Sequence, residues 1–363
     1  MATRPVVHRH GLGDVGERCF CGCGNGGAAL VLGALMTDGA VSPPPETPLV
    51  PLPLGDLPPA PTTSVAIICF NYARFLGECL DSCLAQTLPP DQIVVVNDGS
   101  TDNTAQELDN HAARCPRILA IHQTNGGICA ATNAALAACS GDVVFLLDAD
   151  DVMAPTRIAK VIAALRERVD GQWPGWAHHP VLRFGEGKPD LGISPHYATG
   201  TGPQGWLAPA ALRAASSPVL ALSSALAFRR EVLRAIGPLD GDRLMYQDLQ
   251  LCTAATLLSP AAWLPEPLTL YRVHGTAATA GSMVSLQQIS ATRLRAERFD
   301  AWLRTRLDQR QSGAAALWRP VTAQGGFLWL TFVEKWLSGG GKDRKLLRRV
   351  LRHGDTRAAP LQQ

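Results

Sequence analysis

The stretch Val143–Asp151 reads VVFLLDADD. A run of β-branched and large apolar residues stops abruptly at three carboxylates. A continuous apolar run of this length suits a strand buried on both faces of a parallel sheet. Open α/β sheets hold their ligands at the carboxyl ends of such strands, which is where these carboxylates stand. In extended backbone Asp148 and Asp150 project to one side, and they repel each other unless a positive charge lies between them. A hard divalent cation, Mn²⁺ or Mg²⁺, shared with substrate phosphates meets that need. Alone, the same residues read better as a solvated acidic turn capping the helix that begins near Pro155, so the segments upstream decide.

Those segments alternate regularly. SVAIICF from Ser64 is a strand. From Arg74 the apolar residues Phe75, Cys79, Cys83 and Leu76, Leu80, Leu84 recur at four, giving one helical face that Pro89-Pro90 ends. QIVVV from Gln92 is the second strand and runs into Asn97-Asp98-Gly99-Ser100-Thr101-Asp102, where Ser100 or Thr101 is the expected helix cap. RILAIH from Arg117 is the third strand, followed by Asn125-Gly126-Gly127 and an Ala-rich helix from about Ile128 to Cys139. Strand and helix alternating at this spacing predict a mostly parallel, Rossmann-like α/β sheet flanked by helices. No Gly-x-Gly-x-x-Gly turn follows the first strand, and no Gly-x-x-x-x-Gly-Lys-Ser/Thr loop is present in the sequence, so the dinucleotide-binding and P-loop readings lack their phosphate cradles.

The totals set the frame. The 363 residues hold one large domain or two ordinary ones, 46% hydrophobic and 18% charged. A net charge of +2 argues against nucleic acid as a partner. No apolar run is long enough for a transmembrane helix; Ala28–Met36 is short, broken by Gly33, and only faintly like a signal peptide. Cys69, Cys79, Cys83, Cys115, Cys129, Cys139 and Cys252 lie in apolar, element-like stretches and read as buried thiols of a cytoplasmic protein. Residues 1–62 are read as a disordered extension, because Pro43 to Pro61 holds nine prolines. Cys19, Cys21 and Cys23 lack the spacing of a structural zinc site, and Met36 is an alternative start.

In order and spacing, SVAIICFN, IVVVNDGSTDNT, NGGICAATNAAL and VVFLLDADD, then SSALAFRREVLRAIGPLD, YQDLQL and YRVHG, resemble the family 2 glycosyltransferases of GT-A fold. The resemblance covers roughly residues 63–280. It implies a nucleotide-binding half (63–152) and an acceptor and catalytic half (153–280), with a helical C-terminal extension (281–363). It further implies that Phe70 and Asn71 lie beside the nucleotide base, where aromatic stacking contributes about 1–3 kcal/mol. Asp98 would accept from the base ring, or serve only as turn chemistry. Asn125, Gly127 and Asn133 would line the donor, or serve as loop and helix cap. Where the family has Ala-Arg-Asn this chain has Ala131-Thr132-Asn133, which removes a positive partner for phosphate or sugar.

By the same resemblance Asp150 binds a metal that bridges the donor phosphates, and Asp148 contacts ribose or a metal-bound water. His274 reaches the metal from the opposite side. Arg272 is a phosphate partner or a surface ion pair. Asp248 is the general base, with Gln247 in place of the family's first carboxylate. Trp173, Trp176 and Trp206 lie in a Gly- and Pro-rich region bordering the acceptor, as stacking faces or as packing. The implied activity is inverting transfer of a sugar from a nucleotide-sugar, UDP-linked, to a saccharide or lipid-linked acceptor in cell-envelope glycan synthesis. The alternative is a non-catalytic nucleotide-sugar-binding or scaffold member, which the changes at Thr132 and Gln247 keep open. Lys342–His353 is a basic amphipathic segment that would bring the enzyme to the inner face of a membrane, or simply be solvated.

Overall fold

The computed structural model describes residues 48–185, 190–194, 200–214, 216–219, 221–241, 245–274 and 286–320. The Cys19/Cys21/Cys23 cluster, Met36, the apolar stretch 321–337 and the basic segment 342–353 lie outside the described residues.

Four strands make the parallel half of a seven-stranded sheet: β1 (Thr63–Cys69), β2 (Gln92–Asp98), β3 (Ile118–Gln123) and β4 (Val143–Asp148), in the order β3-β2-β1-β4. Between them run α1 (Ala73–Leu84), α2 (Thr104–Arg114) and α3 (Ile128–Ala138). After β4 come the two-residue β5 (Val152–Met153), α4 (Arg157–Leu165), β6 (Trp176–His178), β7 (Val181–Gly185) and α5 (Ala208–Ala214). A single 3₁₀ turn, Ser223–Ala225, leads into β8 (Leu226–Arg229), α6 (Arg230–Ile236), α7 (Gln247–Leu258), β9 (Ala261–Trp263), β10 (Thr269–Val273) and α8 (Leu286–Arg310). The sheet is completed by β8, β6 and β9, with β8 antiparallel to β4; a second sheet has the order β5-β10-β7.

The apolar run of β4 is buried on both faces, as its composition demands. Val143, Phe145 and Leu147 join Val65, Ile67, Leu76, Leu80 and Leu108 on one side; Val144 and Leu146 join Ala66, Ala131, Ala135 and Leu251 on the other. Register aligns the strand ends: Ile68 pairs with Asp148, Cys69 with Asn97, and Asp98 with Gln123. All the polar residues that follow these strands therefore emerge at one edge.

Two expectations are corrected locally. The helix after β2 begins at Thr104 with Asn103 at the N-cap position, and the side chain that serves its first residue is Asp102, whose Oδ1 accepts from the Thr104 amide at 3.0 Å and its hydroxyl at 2.5 Å. Ser100 and Thr101 instead bond Asn71, across the gap to β1. The stretch 48–62 is a packed strap, not a free linker. Leu49 and Leu57 are buried, Leu52 N donates to Leu258 O at 2.8 Å, and Arg229 Nη1 donates to Gly55 O at 2.7 Å. Proline removes donors but leaves carbonyls and leucines to make these contacts. Of the tryptophans, Trp176 is fully buried between His178 and Phe228, Trp173 lies under the Arg168 guanidinium, and Trp206 packs against the core. Among the described residues no helix is long and apolar enough to cross a membrane.

Candidate active site

At the ends of β1, β2 and β3 the structure brings Phe70, Asn71, Asp98, Asn125 and Gly127 together. Phe70 is 43% exposed, so a ring face is open to a planar ligand. Asn71 adopts φ 59°, a left-handed conformation Asn tolerates, and its Oδ1 accepts from Thr101 N at 2.7 Å. Asp98 is buried at 3% exposure and already holds three internal donors: Gln123 Nε2 at 2.7 Å, Gly126 N at 2.8 Å and Gly127 N at 2.9 Å. Asn125 Nδ2 donates to the Asp98 carbonyl at 2.8 Å. Asp98 thus shapes the Asn125–Gly127 turn. Gly99 must be glycine there: its φ is +70°, and a Cβ would come within 2.6 Å of Asn125 N.

Asn133 stands apart from this group. Its Nδ2 donates to Leu239 O at 3.0 Å and its Oδ1 accepts from Leu239 N at 2.8 Å. Both ends of the amide bond the Leu239 backbone, which gives Asn133 a structural role in docking that loop. Thr132, at the position of the missing arginine, is buried and bonds back to Ile128 O.

The carboxylates of β4 meet three distant elements. Asp148 N donates to Ser224 Oγ at 3.0 Å. Asp150, 8% exposed, has its Oδ2 2.9 Å from His274 Nε2. Asp151 is fully buried, with Oδ1 bonded to Arg272 N at 2.9 Å and no hydrogen-bond partner for Oδ2. Crowding shows in the proton affinities. Burial first, then the charges of Asp150 and Asp248, push Asp148 up to about 7. Burial and the charges of Asp150 and Asp148 raise Asp151 well above the usual carboxylate range. Burial pushes Asp248, in the first turn of α7, up to about 6. Gln247 Nε2 donates to Ser223 Oγ at 2.8 Å, tying that turn to the carboxylate side.

Arg272 does not extend toward open space. Its Nε donates to Asp150 O at 2.8 Å and its Nη2 to Glu78 Oε2 at 2.5 Å. Tyr72 was legible only as the residue ending the first strand. Its half-buried phenol is held protonated by burial and by the charges of Asp150, Asp148 and Asp151, and its ring meets His274 edge-on at 5.6 Å. Glu78 and Phe184 were also missed, since Glu78 lies on the polar side of the helical pattern from Arg74 and Phe184 in a region without clear periodicity.

This is an excess of negative charge lined by an imidazole. Asp150 and His274 offer an oxygen and a nitrogen ligand already in contact, and the unpartnered Asp151 oxygen marks a deficit of positive charge. The donor set fits Mn²⁺ or Mg²⁺. Among the described residues no group of three or more His, Cys, Asp or Glu is arranged to hold a metal ion.

A parallel sheet with carboxylates at its open edge, continued by an antiparallel half that returns an acid and a histidine to that edge, defines a GT-A α/β fold. Residues 64–236 match the model of Glycosyl transferase family 2, and this segment is a glycosyltransferase family 2 domain. An uncharacterised glycosyltransferase of Nostoc sp. is 34% identical over 214 residues, 58% of this chain and 65% of that protein. EpsJ of Bacillus subtilis, also an uncharacterised glycosyltransferase, is 38% identical over 91 residues, covering 25% of this chain and 26% of that one. The hyaluronan synthase of Pasteurella multocida is 34% identical over 110 residues, 30% of this chain and 11% of that protein. The chain thus spans less than two thirds of each of these relatives. Among solved structures, S. aureus TarS 1–349 in complex with UDP-GlcNAc superposes with a TM-score of 0.51 at 19% identity, covering 75% of this chain and 80% of that one. That likeness is one of fold.

Proposed function

We propose that this chain is a metal-dependent, inverting glycosyltransferase that moves a sugar from a UDP-linked donor to a hydroxyl of a saccharide or lipid-linked acceptor, in the building of a cell-envelope glycan. One observation carries the reading: His274 and Asp150, 124 residues apart, meet at 2.9 Å beside the carboxyl end of β4, where Asp148 lies near enough to Asp248 for that charge to raise its proton affinity. The UDP-GlcNAc of the TarS complex and the synthase among the relatives support the donor and product classes. The seven free cysteines among the described residues support a cytoplasmic setting.

In this reading the exposed Phe70 ring stacks on the base, and the turn shaped by Asp98 lines the donor. Asp248 takes the proton of the acceptor hydroxyl as its oxygen attacks the anomeric carbon. The nucleoside diphosphate leaves from the opposite face, so configuration inverts and no covalent sugar–enzyme intermediate forms. A pKa near 6 leaves Asp248 ionised at neutral pH yet basic enough to accept the proton. Asp150 and His274 would hold a Mn²⁺ or Mg²⁺, whose positive charge would stabilise the departing diphosphate.

The test is release of nucleotide from a panel of UDP-, GDP-, dTDP- and CMP-sugars with Mn²⁺. Slow hydrolysis of one donor, lost in Asp150→Ala, is expected. Binding without turnover, even with crude envelope extract supplying acceptor, would instead establish a scaffold.

A further inference from the structure

We propose that Arg272 is a positioning residue that sets the Asp150–Asp151 loop from behind and does not touch the donor. Its guanidinium lies between two aromatic rings, with Cζ 4.7 Å from the Phe75 centroid and 4.4 Å from the Phe184 centroid. Phe184 is its register partner on β7, and Phe75 comes from α1. With both faces covered, the edge of the plane points its donors at Asp150 O and Glu78 Oε2. The backbone of the same residue holds Asp151 Oδ1. One residue thus ties β10, β7, α1 and the carboxylate loop together. Only a planar, multiply donating cation can stack on two faces and bond along its edge at once.

The consequence for the site is direct. Arg272 lies on β10 and His274 directly after its last residue, Val273, and the Phe75 ring meets both, lying 4.7 Å from the Arg272 guanidinium and 5.0 Å from the His274 ring. Fixing Arg272 therefore fixes the height at which His274 meets Asp150. The buried Asp151 carboxylate has its one hydrogen bond from the same strand. Reaching a phosphate would cost the Arg272 side chain two ring contacts and its hydrogen bonds to the Asp150 carbonyl and to Glu78. The kinetic part of this inference rests on the proposed activity; the placement does not.

Arg272→Lys keeps the charge and loses the fork and the plane. In metal-free protein it is expected to speed amide exchange over residues 148–153, where Asp151 N bonds Asp148 O at 3.0 Å. It should lower kcat about 10–100-fold while leaving UDP affinity, measured by calorimetry in EDTA, unchanged. Glu78→Gln, altered from the solvent side, should shift both exchange and kcat in the same direction by less, and serves if the lysine variant does not fold. Weakened UDP binding in EDTA with unchanged exchange would make Arg272 a donor contact and overturn the proposal; so would unchanged exchange with unchanged kcat. If the wild-type protein transfers no sugar, the exchange comparison still decides the positioning role.

Discussion

His274 Nε2 lies 2.9 Å from Asp150 Oδ2 although 124 residues separate them. The second sheet makes the contact: β10 runs antiparallel to β5, with Leu270 opposite Val152, so the residues flanking those strands meet. Residues that act through one shared ligand are not additive. Asp150→Ala should abolish metal-dependent donor hydrolysis, and His274→Ala should reduce it and raise the Mn²⁺ concentration needed for half-maximal rate. The double variant should be no worse than Asp150→Ala alone. Independent, additive losses in a Mn²⁺ titration of the three proteins would separate the pair.

Asp248→Asn should cost about 10²–10⁴-fold in kcat, the usual contribution of a general base, with folding retained. The acid limb of kcat/KM in the wild type should fall at about 6, because the base works only when ionised. The same shift has a stability sign. The folded chain keeps this proton up to about 6, while the unfolded chain releases it near about 3.9. Ionising the buried carboxylate therefore removes stability as pH rises through that window. At pH 8 the Asn variant should melt no lower than wild type; a markedly lower melting temperature would give Asp248 a structural role instead.

The parallel half was legible because its strands are continuous apolar runs ending in turn residues, a pattern that burial on both faces enforces. Asp148 and Asp150 stood out as carboxylates ending a buried strand, whereas Asp248 and His274 were singled out through the resemblance alone. What stayed hidden depends on partners that periodicity does not encode. Asp98 reads as a ligand-facing acid, but which donors it meets depends on how the Asn125–Gly127 turn folds over it. Arg272 reads as a cation free to bind phosphate until the faces of Phe75 and Phe184 are placed around it. The proline-rich strap misled for a related reason: composition reports missing amide donors, and the contacts of Leu49 and Leu57 depend on the shape of the surface they cover.

Asn133 gives a separable test of structure against donor contact. Asn133→Ala leaves Leu239 N–H and C=O without their side-chain partner beside a leucine side chain that is 4% exposed. An unsatisfied buried polar group costs about 1–3 kcal/mol, so the melting temperature should fall by several degrees, at roughly 2–4 °C per kcal/mol. Donor KM should hold. A raised KM with an unchanged melting temperature would return Asn133 to the donor-binding set.

The strap makes its own prediction, and its internal contrast controls for composition. Leu49 and Leu57 are buried, whereas Val50 is 60% exposed. If the strap is part of the folded unit, Leu57→Ala should lose the transfer energy of the side chain and leave a cavity, about 2–5 kcal/mol in urea unfolding. Val50→Ala should change stability by less than about 0.5 kcal/mol. The segment also closes the far side of the domain, since Arg229, buried at 2%, donates to Gly55 O and bonds Glu231. Losing the strap would leave that guanidinium with one exposed carboxylate as its remaining side-chain partner. Equal, negligible effects of Leu57→Ala and Val50→Ala would return residues 48–62 to the status of a linker.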